Sequence, residues 1–241
     1  MLTENAPSRI RDREVRIEVD GVVLEGHLSI PQDAASIVLF VHGSGSGRHS
    51  PRNRFVAGVL QSAGIGTLLF DLLTREEEVL DIRTASLRFD IRLLSRRLLG
   101  VTDWILREPA TRTLRVGYFG ASTGAAAALV AAARLGESVG AVVSRGGRPD
   151  LAEAALGFVC SPTLLIVGGD DRSVLRLNET AMAELHSSEK KLVVIPGATH
   201  LFEEPGALEE VARIAALWFQ HHLAASQSPD HKVGHNNRRT A

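Results

Sequence analysis

The sequence predicts an α/β protein built on a mostly parallel, doubly wound sheet that opens with an antiparallel hairpin. Three observations carry that prediction: apolar runs of strand length recur along the chain, helical patterns separate them, and no repeat or linker divides the whole. A length of 241 residues suits one such domain and leaves too little chain for two large ones.

Residues 1–13 are polar and charged and read as an N-terminal extension. Val15, Ile17 and Val19 then alternate with charged residues, and Asp20-Gly21 supplies a two-residue turn into 22–30, which gives the hairpin. Continuous apolar runs follow at 37–41, 65–70, 114–119, 139–143, 163–167 and 192–195, the pattern of parallel strands covered on both faces. Helical segments are expected at about 51–63, 84–107, 123–135, 149–156, 174–187 and 205–222. Along 80–107, Ile82, Leu87, Ile91, Leu94, Leu98, Val101 and Ile105 form a stripe against the sheet, with the arginines on the wet face. Trp218 and Phe219 read as core packing. The last segment, 224–241, is polar and aperiodic and reads as a disordered tail, leaving 14–223 as the domain.

Composition bounds the partners. A formal net charge of -1 gives no electrostatic case for nucleic acid or a membrane surface. The lone cysteine, Cys160, excludes a disulfide scaffold and points to a reducing compartment. The start lacks the apolar run of a secretory signal and no apolar stretch approaches the roughly 20 residues of a membrane span, so a cytoplasmic location is expected. Arginine far outnumbers lysine, which occurs only at 190, 191 and 232. Acidic ligands would select for the arginine fork, but genome composition is the simpler account.

In doubly wound sheets the working site lies at the carboxyl ends of the strands. The strand 114–119 runs into Gly120-Ala121-Ser122-Thr123-Gly124 and then an alanine-rich helix, a G-x-S-x-G pattern in strand–turn–helix context. A serine hydroxyl needs a base to take its proton and a third group to orient that base. Later strand ends supply both: Gly169-Asp170-Asp171 follows one, and Gly197-Ala198-Thr199-His200 follows the last.

On these motifs the chain resembles the α/β-hydrolases, and within them the dienelactone-hydrolase-like group of small, nearly lidless enzymes. The resemblance spans about residues 14–222 and rests on His42-Gly43-Ser44-Gly45, the serine elbow, the run from Gly169 to Val174, and the histidine loop. It implies a Ser122, Asp171 and His200 triad. Asp171 is preferred over Asp170 because the family's acid stands three residues before a valine, here Val174; Asp170 is otherwise a loop carboxylate capping the next helix. It implies an oxyanion hole from the backbone amides of Ser44 and Thr123, with His42 holding the loop through hydrogen bonds. Dienelactone hydrolase itself carries a cysteine in the elbow where Ser122 stands here, so the group name assigns no substrate.

The implied function is a serine hydrolase acting on an ester or similar acyl bond of a small substrate, with no cofactor and no metal. An acyltransferase or peptidase would use the same triad, and a binding module that had lost catalysis would keep the same fold. The short connection between the sixth and seventh strands leaves room for a minimal lid and predicts an open cleft. Arg48, Arg52, Arg54, Arg145 and Arg148 fall in strand-end loops. Of these, Arg48 and Arg145 are the candidates to grip an anionic substrate, against the alternative of surface arginines bridging to Glu76–Glu78 and Asp150. His27, His49, His186, His221, His222, His231 and His235 show no zinc spacing.

Overall fold

The computed structural model describes residues 10–224. Its strands are β1 (Ile10–Val19), β2 (Val22–Pro31), β3 (Ser36–Val41), β4 (Gly66–Phe70), β5 (Arg115–Ala121), β6 (Val139–Arg145), β7 (Thr163–Gly168) and β8 (Lys190–Ile195). They form one eight-stranded sheet in the order β1-β2-β4-β3-β5-β6-β7-β8. β2 pairs antiparallel with β1 and with β4, and every later pairing is parallel. This is the α/β-hydrolase arrangement expected from the sequence.

Asp20 and Gly21 take φ of 50° and 77°, the two positive values that a tight hairpin turn of this hand requires. β1 starts before the predicted extension ends, because residues 10–13 pair with Leu28 to Pro31 although all four are exposed. Backbone hydrogen bonds, not burial, extend the strand there, and they leave no apolar signal in the sequence. The expected tail from 225 onward, with His231 and His235, lies outside the described residues.

Helices cover both faces. α1 (Pro51–Ser62) and α6 (Ala207–His222) pack on one side through Val56, Leu60, Val211, Ala215 and Phe219. The other side carries α3 (Ile91–Arg107), α4 (Thr123–Leu135), α5 (Arg172–Glu184) and a 3-10 segment, Pro149–Phe158. No helix among the described residues is long and apolar enough to cross a membrane.

The helix expected over 84–107 is helical only from Ile91, as α3, and a separate helix with no counterpart in that expectation precedes it. α2 (Arg75–Thr84) is opened by a capping box in which Thr74 Oγ1 accepts from the Glu77 amide and Glu77 Oε2 accepts from the Thr74 amide. It stops at Ala85, in the left-handed region at φ 54°. Asp81 then accepts from the amides of Leu87 and Arg88, and Asp90 caps α3. The apolar stripe therefore begins with α3: Leu94, Leu98, Val101 and Ile105 are buried, whereas Ile82 is 77% exposed. The arginines of this region are not all on the wet face either. Arg97 is 4% exposed and donates to the Val19 carbonyl at 3.1 Å and to Glu77 at 2.8 Å, tying α3 to the hairpin and to α2.

The division is testable. Leu98→Ala should lower the unfolding free energy by about 2–5 kcal/mol through the cavity it leaves, and Ile82→Ala by less than about 0.5 kcal/mol. Urea denaturation measures both, and similar losses would contradict the exposed placement of α2.

Candidate active site

β5 carries the chain to Ala121, and Ser122 turns it into α4 with φ 50° and ψ -123°. That backbone is strained for a residue with a side chain, so the surroundings must hold it. The Ser122 amide donates to the Arg145 carbonyl at 3.3 Å, and its own carbonyl accepts from the Ala125 and Arg148 amides, each at 3.1 Å. Steric contact completes the hold. A Cβ added to Gly124 would lie 2.1 Å from the Val41 carbonyl oxygen, so only glycine lets α4 start this close to β3. A Cβ on Gly43 would lie 2.8 Å from the Ser122 Cβ, which places the loop after β3 directly beside the serine.

β7 and β8 deliver the other two polar groups. His200 Nδ1 lies 2.7 Å from Asp171 Oδ2, and Ser173 Oγ donates to Asp171 Oδ1 at 3.3 Å. Asp170 is exposed and its carboxylate makes no hydrogen bond within the described residues. The imidazole rests against the end of β6: a Cβ on Gly146 would stand 3.5 Å from His200 Cε1. Since the Ser122 amide is bonded to Arg145, serine and imidazole flank the same strand terminus. Two residues beyond His200, buried Phe202 adopts φ 56°, a second strained position that shapes the histidine loop. Nothing in the sequence marks it, because a positive φ at phenylalanine follows from packing alone.

His42 does what was expected of it. Its Nδ1 lies 3.0 Å from the Gly43 carbonyl and its Nε2 accepts from the Leu72 amide at 2.9 Å, which fixes the neutral tautomer with the proton on Nδ1. Burial holds its pKa below the ordinary histidine value, only partly offset by the Gly43 hydrogen bond and by the charge of Asp71. The Ser44 amide has no acceptor among the described residues. Thr123 opens α4, so its amide has no acceptor inside the helix. The Ser44 and Thr123 hydroxyls lie 3.2 Å apart, joining the two segments.

The arginines divide sharply. Arg48 is not a free fork: its guanidinium pairs with Asp71 and with Glu25, and its amide donates to Asp71 at 2.7 Å. It braces the loop after β3, its fork taken up by two carboxylates. Arg148 is held by two bonds to Asp150, at 2.7 and 2.8 Å. Arg52 reaches Glu203 at 3.0 Å. Arg145 makes no side-chain hydrogen bond at all within the described residues.

A cleft of about 1100 Å³ opens beside Thr123 and the loop from His42 to Arg52. Its far wall comes from α2, through Arg75, Glu78 and Asp81. The sequence offered no sign of this, since the connection between the sixth and seventh strands was the expected place for any cover. That connection instead turns inward and buries Ala152, Leu156 and Val159 in the core. His221 and His222, unpaired in the sequence, come within 4.8 Å of Glu189. They meet at the start of β8, the opposite end of the sheet from Ser122.

Two measurements check this geometry. Gly124→Ala should fail to fold or lose most of its stability, seen as loss of the cooperative melting transition, because the clash is with backbone. Below about pH 6.5 the unfolded chain protonates His42 while the folded chain resists, so folding stability should fall with falling pH by up to about 1.4 kcal/mol per unit. In His42→Gln the slope of the urea midpoint between about pH 5 and 7 should be shallower; an unchanged slope would refute the neutral, buried bridge.

Comparison with known proteins agrees with the fold. Residues 25–224 match the dienelactone hydrolase family. Two Mycobacterium tuberculosis proteins, from strains CDC 1551 and H37Rv, are 58% identical over 214 residues and carry phosphoribosyl transferase as a provisional name. Those 214 residues are 89% of this chain and 47% of theirs, so the chain spans about half the length of the curated relatives it matches. The crystal structure of a dienelactone hydrolase from Anabaena variabilis superposes with a TM-score of 0.87 at 60% identity, covering 89% of this chain and 99% of that one. Est1E from Butyrivibrio proteoclasticus shares the fold at 17% identity, with a TM-score of 0.73 over 88% of this chain and 99% of its own. The match across nearly all the described residues establishes that this chain belongs to the dienelactone hydrolase family.

Proposed function

We propose that the chain is a serine hydrolase that cleaves an ester or related acyl bond of a small substrate through an acyl-enzyme on Ser122. The observation that carries this reading is the 2.7 Å contact between His200 Nδ1 and Asp171, together with a serine held in the strained turn after β5. A carboxylate on Nδ1 keeps the proton there and leaves Nε2 as the basic nitrogen.

In this reading Nε2 removes the Ser122 proton as Oγ attacks the acyl carbon. The negative oxygen that forms is held by the amides of Ser44 and Thr123. His200 then returns the proton to the departing alkoxide, leaving the acyl group on Ser122. Water enters, loses a proton to Nε2 and attacks the same carbon, and the acid leaves as Ser122 regains its hydrogen. Each step uses only atoms of this chain, the substrate and water.

The phosphoribosyl transferase name of the longer relatives describes proteins about twice the length of the shared part. The reading assigns acyl hydrolysis to the shared half and any phosphoribosyl transfer to the other.

Ser122→Ala should lower kcat/KM for p-nitrophenyl acetate by about 10³-fold or more while the melting temperature stays close to wild type. Asp171→Asn should cost roughly 10³- to 10⁴-fold by releasing the imidazole from its tautomer, and Asp170→Asn should cost little. Full activity in folded Ser122→Ala would end the assignment.

A further inference from the structure

At the end of the sheet opposite Ser122, Glu189 immediately precedes β8, and His221 and His222 close α6. A carboxylate oxygen of the first and a ring nitrogen of each histidine all lie within 4.8 Å of one another, the one such cluster among the described residues. Its members come together only through tertiary packing. Adjacent residues on a helix point about 100° apart, so the two histidines form no local zinc spacing, and only the packing of α6 beside β8 brings Glu189 to them. The Thr163 amide donates to the Glu189 carbonyl at 2.9 Å, which fixes the backbone of that residue against β7.

The His222 ring is held in place. Its side chain is 6% exposed, and the ring centre lies 4.2 Å from that of Trp218, one turn earlier in α6. The His221 ring meets it edge-on at 4.7 Å. His222 Nε2 is nevertheless buried with no hydrogen-bond partner within the described residues, and so is Trp218 Nε1. Glu189 Oε1 stands 3.4 Å from that ring nitrogen without bonding to it. Two ligand atoms on bonds of about 2.1 Å to a tetrahedral ion lie about 3.4 Å apart, so the pair is spaced for a shared metal. A cavity of about 320 Å³, walled by Leu164, Val193, Ile214 and Trp218, adjoins the three residues and leaves space for the ion and its water. A buried ring nitrogen without a partner is costly, and a metal bond would satisfy it.

The donor set narrows the ion. Two imidazoles and one carboxylate, with a fourth position open to water, suit zinc. The neighbouring charges are mostly basic: Lys191 and Arg213 line the same cavity, and Arg115 donates to the Ala224 carbonyl at 2.6 Å. Arg213 is taken up by Glu210, through two bonds of 2.7 Å. Such surroundings disfavour magnesium or calcium, which oxygen ligands hold by charge, and leave a metal that imidazole nitrogen binds well. We propose that Glu189, His221 and His222 bind a divalent transition-metal ion of the zinc class, which fastens the end of α6 to the edge strand β8. The ion takes no part in the acyl chemistry, and the site stands whether or not Ser122 is a nucleophile.

Calorimetric titration of the full chain with Zn²⁺ at neutral pH tests the site. Wild type should bind the ion saturably, and Mg²⁺ at the same concentrations should not bind. Glu189→Gln and His222→Gln should each weaken Zn²⁺ binding by about tenfold or more. His231 and His235 are competing ligands elsewhere in the chain, so the double variant His231→Asn with His235→Asn should stay within about twofold of wild type. Saturating Zn²⁺ should also raise the melting temperature of wild type and leave that of Glu189→Gln unchanged. Glu189 is exposed, so its replacement decides the matter if His222→Gln does not fold. Absence of saturable binding, an affinity in folded Glu189→Gln within about twofold of wild type, or loss of binding in the His231 and His235 double variant would overturn the proposal.

Discussion

The closeness of α4 to β3 governs the geometry of the site. Gly124 sits so near the Val41 carbonyl that no side chain fits between them, and this contact fixes where α4 begins. With the helix start fixed, the chain leaving β5 has a single residue in which to reverse, and Ser122 takes a positive φ to do it. The strain is borne by hydrogen bonds from Ser122 to Arg145, Ala125 and Arg148, which hold elbow, helix and the end of β6 as one unit. The histidine loop packs against the same unit, with Gly146 in van der Waals reach of the His200 ring. Alanines along α4 serve the same end, since larger residues would lift the helix from the sheet.

Around that unit the charged side chains fall into two groups. Most arginines near the site are structural: Arg48 locks the loop after β3 to Asp71 and Glu25, Arg97 ties three elements together, and Arg148 closes on Asp150. His42 adds a neutral bridge from Gly43 to Leu72, so the loop carrying Ser44 is held at both ends. The Arg145 guanidinium differs in meeting no carboxylate among the described residues, while its backbone carbonyl accepts from the Ser122 amide.

Much of this was legible in the chain itself. Parallel strands declared themselves as unbroken apolar runs, and the Asp20-Gly21 turn and the glycine-flanked serine are local signals whose physics needs no partner. The resemblance to the family's acid loop preferred Asp171 over Asp170, and Asp171 is the residue bonded to His200. What stayed hidden depends on distant contacts. The break between α2 and α3 turns on Asp81 capping two amides beyond the helix, and the period of the apolar residues ran straight across it. Whether Arg48 is free or paired depends on Glu25 within β2 and Asp71 just after β4, which no local pattern reports. The wall contributed by α2 and the strained Phe202 are likewise products of tertiary packing.

The central claim is that Ser122 carries the acyl group, and it is tested most directly by trapping that intermediate. Enzyme mixed with excess p-nitrophenyl acetate, quenched in acid within the first turnover and digested for mass spectrometry, should carry one acetyl group on the peptide containing Ser122, matched by a burst of p-nitrophenol equal to the enzyme present. Hydrolysis without that burst, with the acetyl group absent or on another residue, would contradict the account.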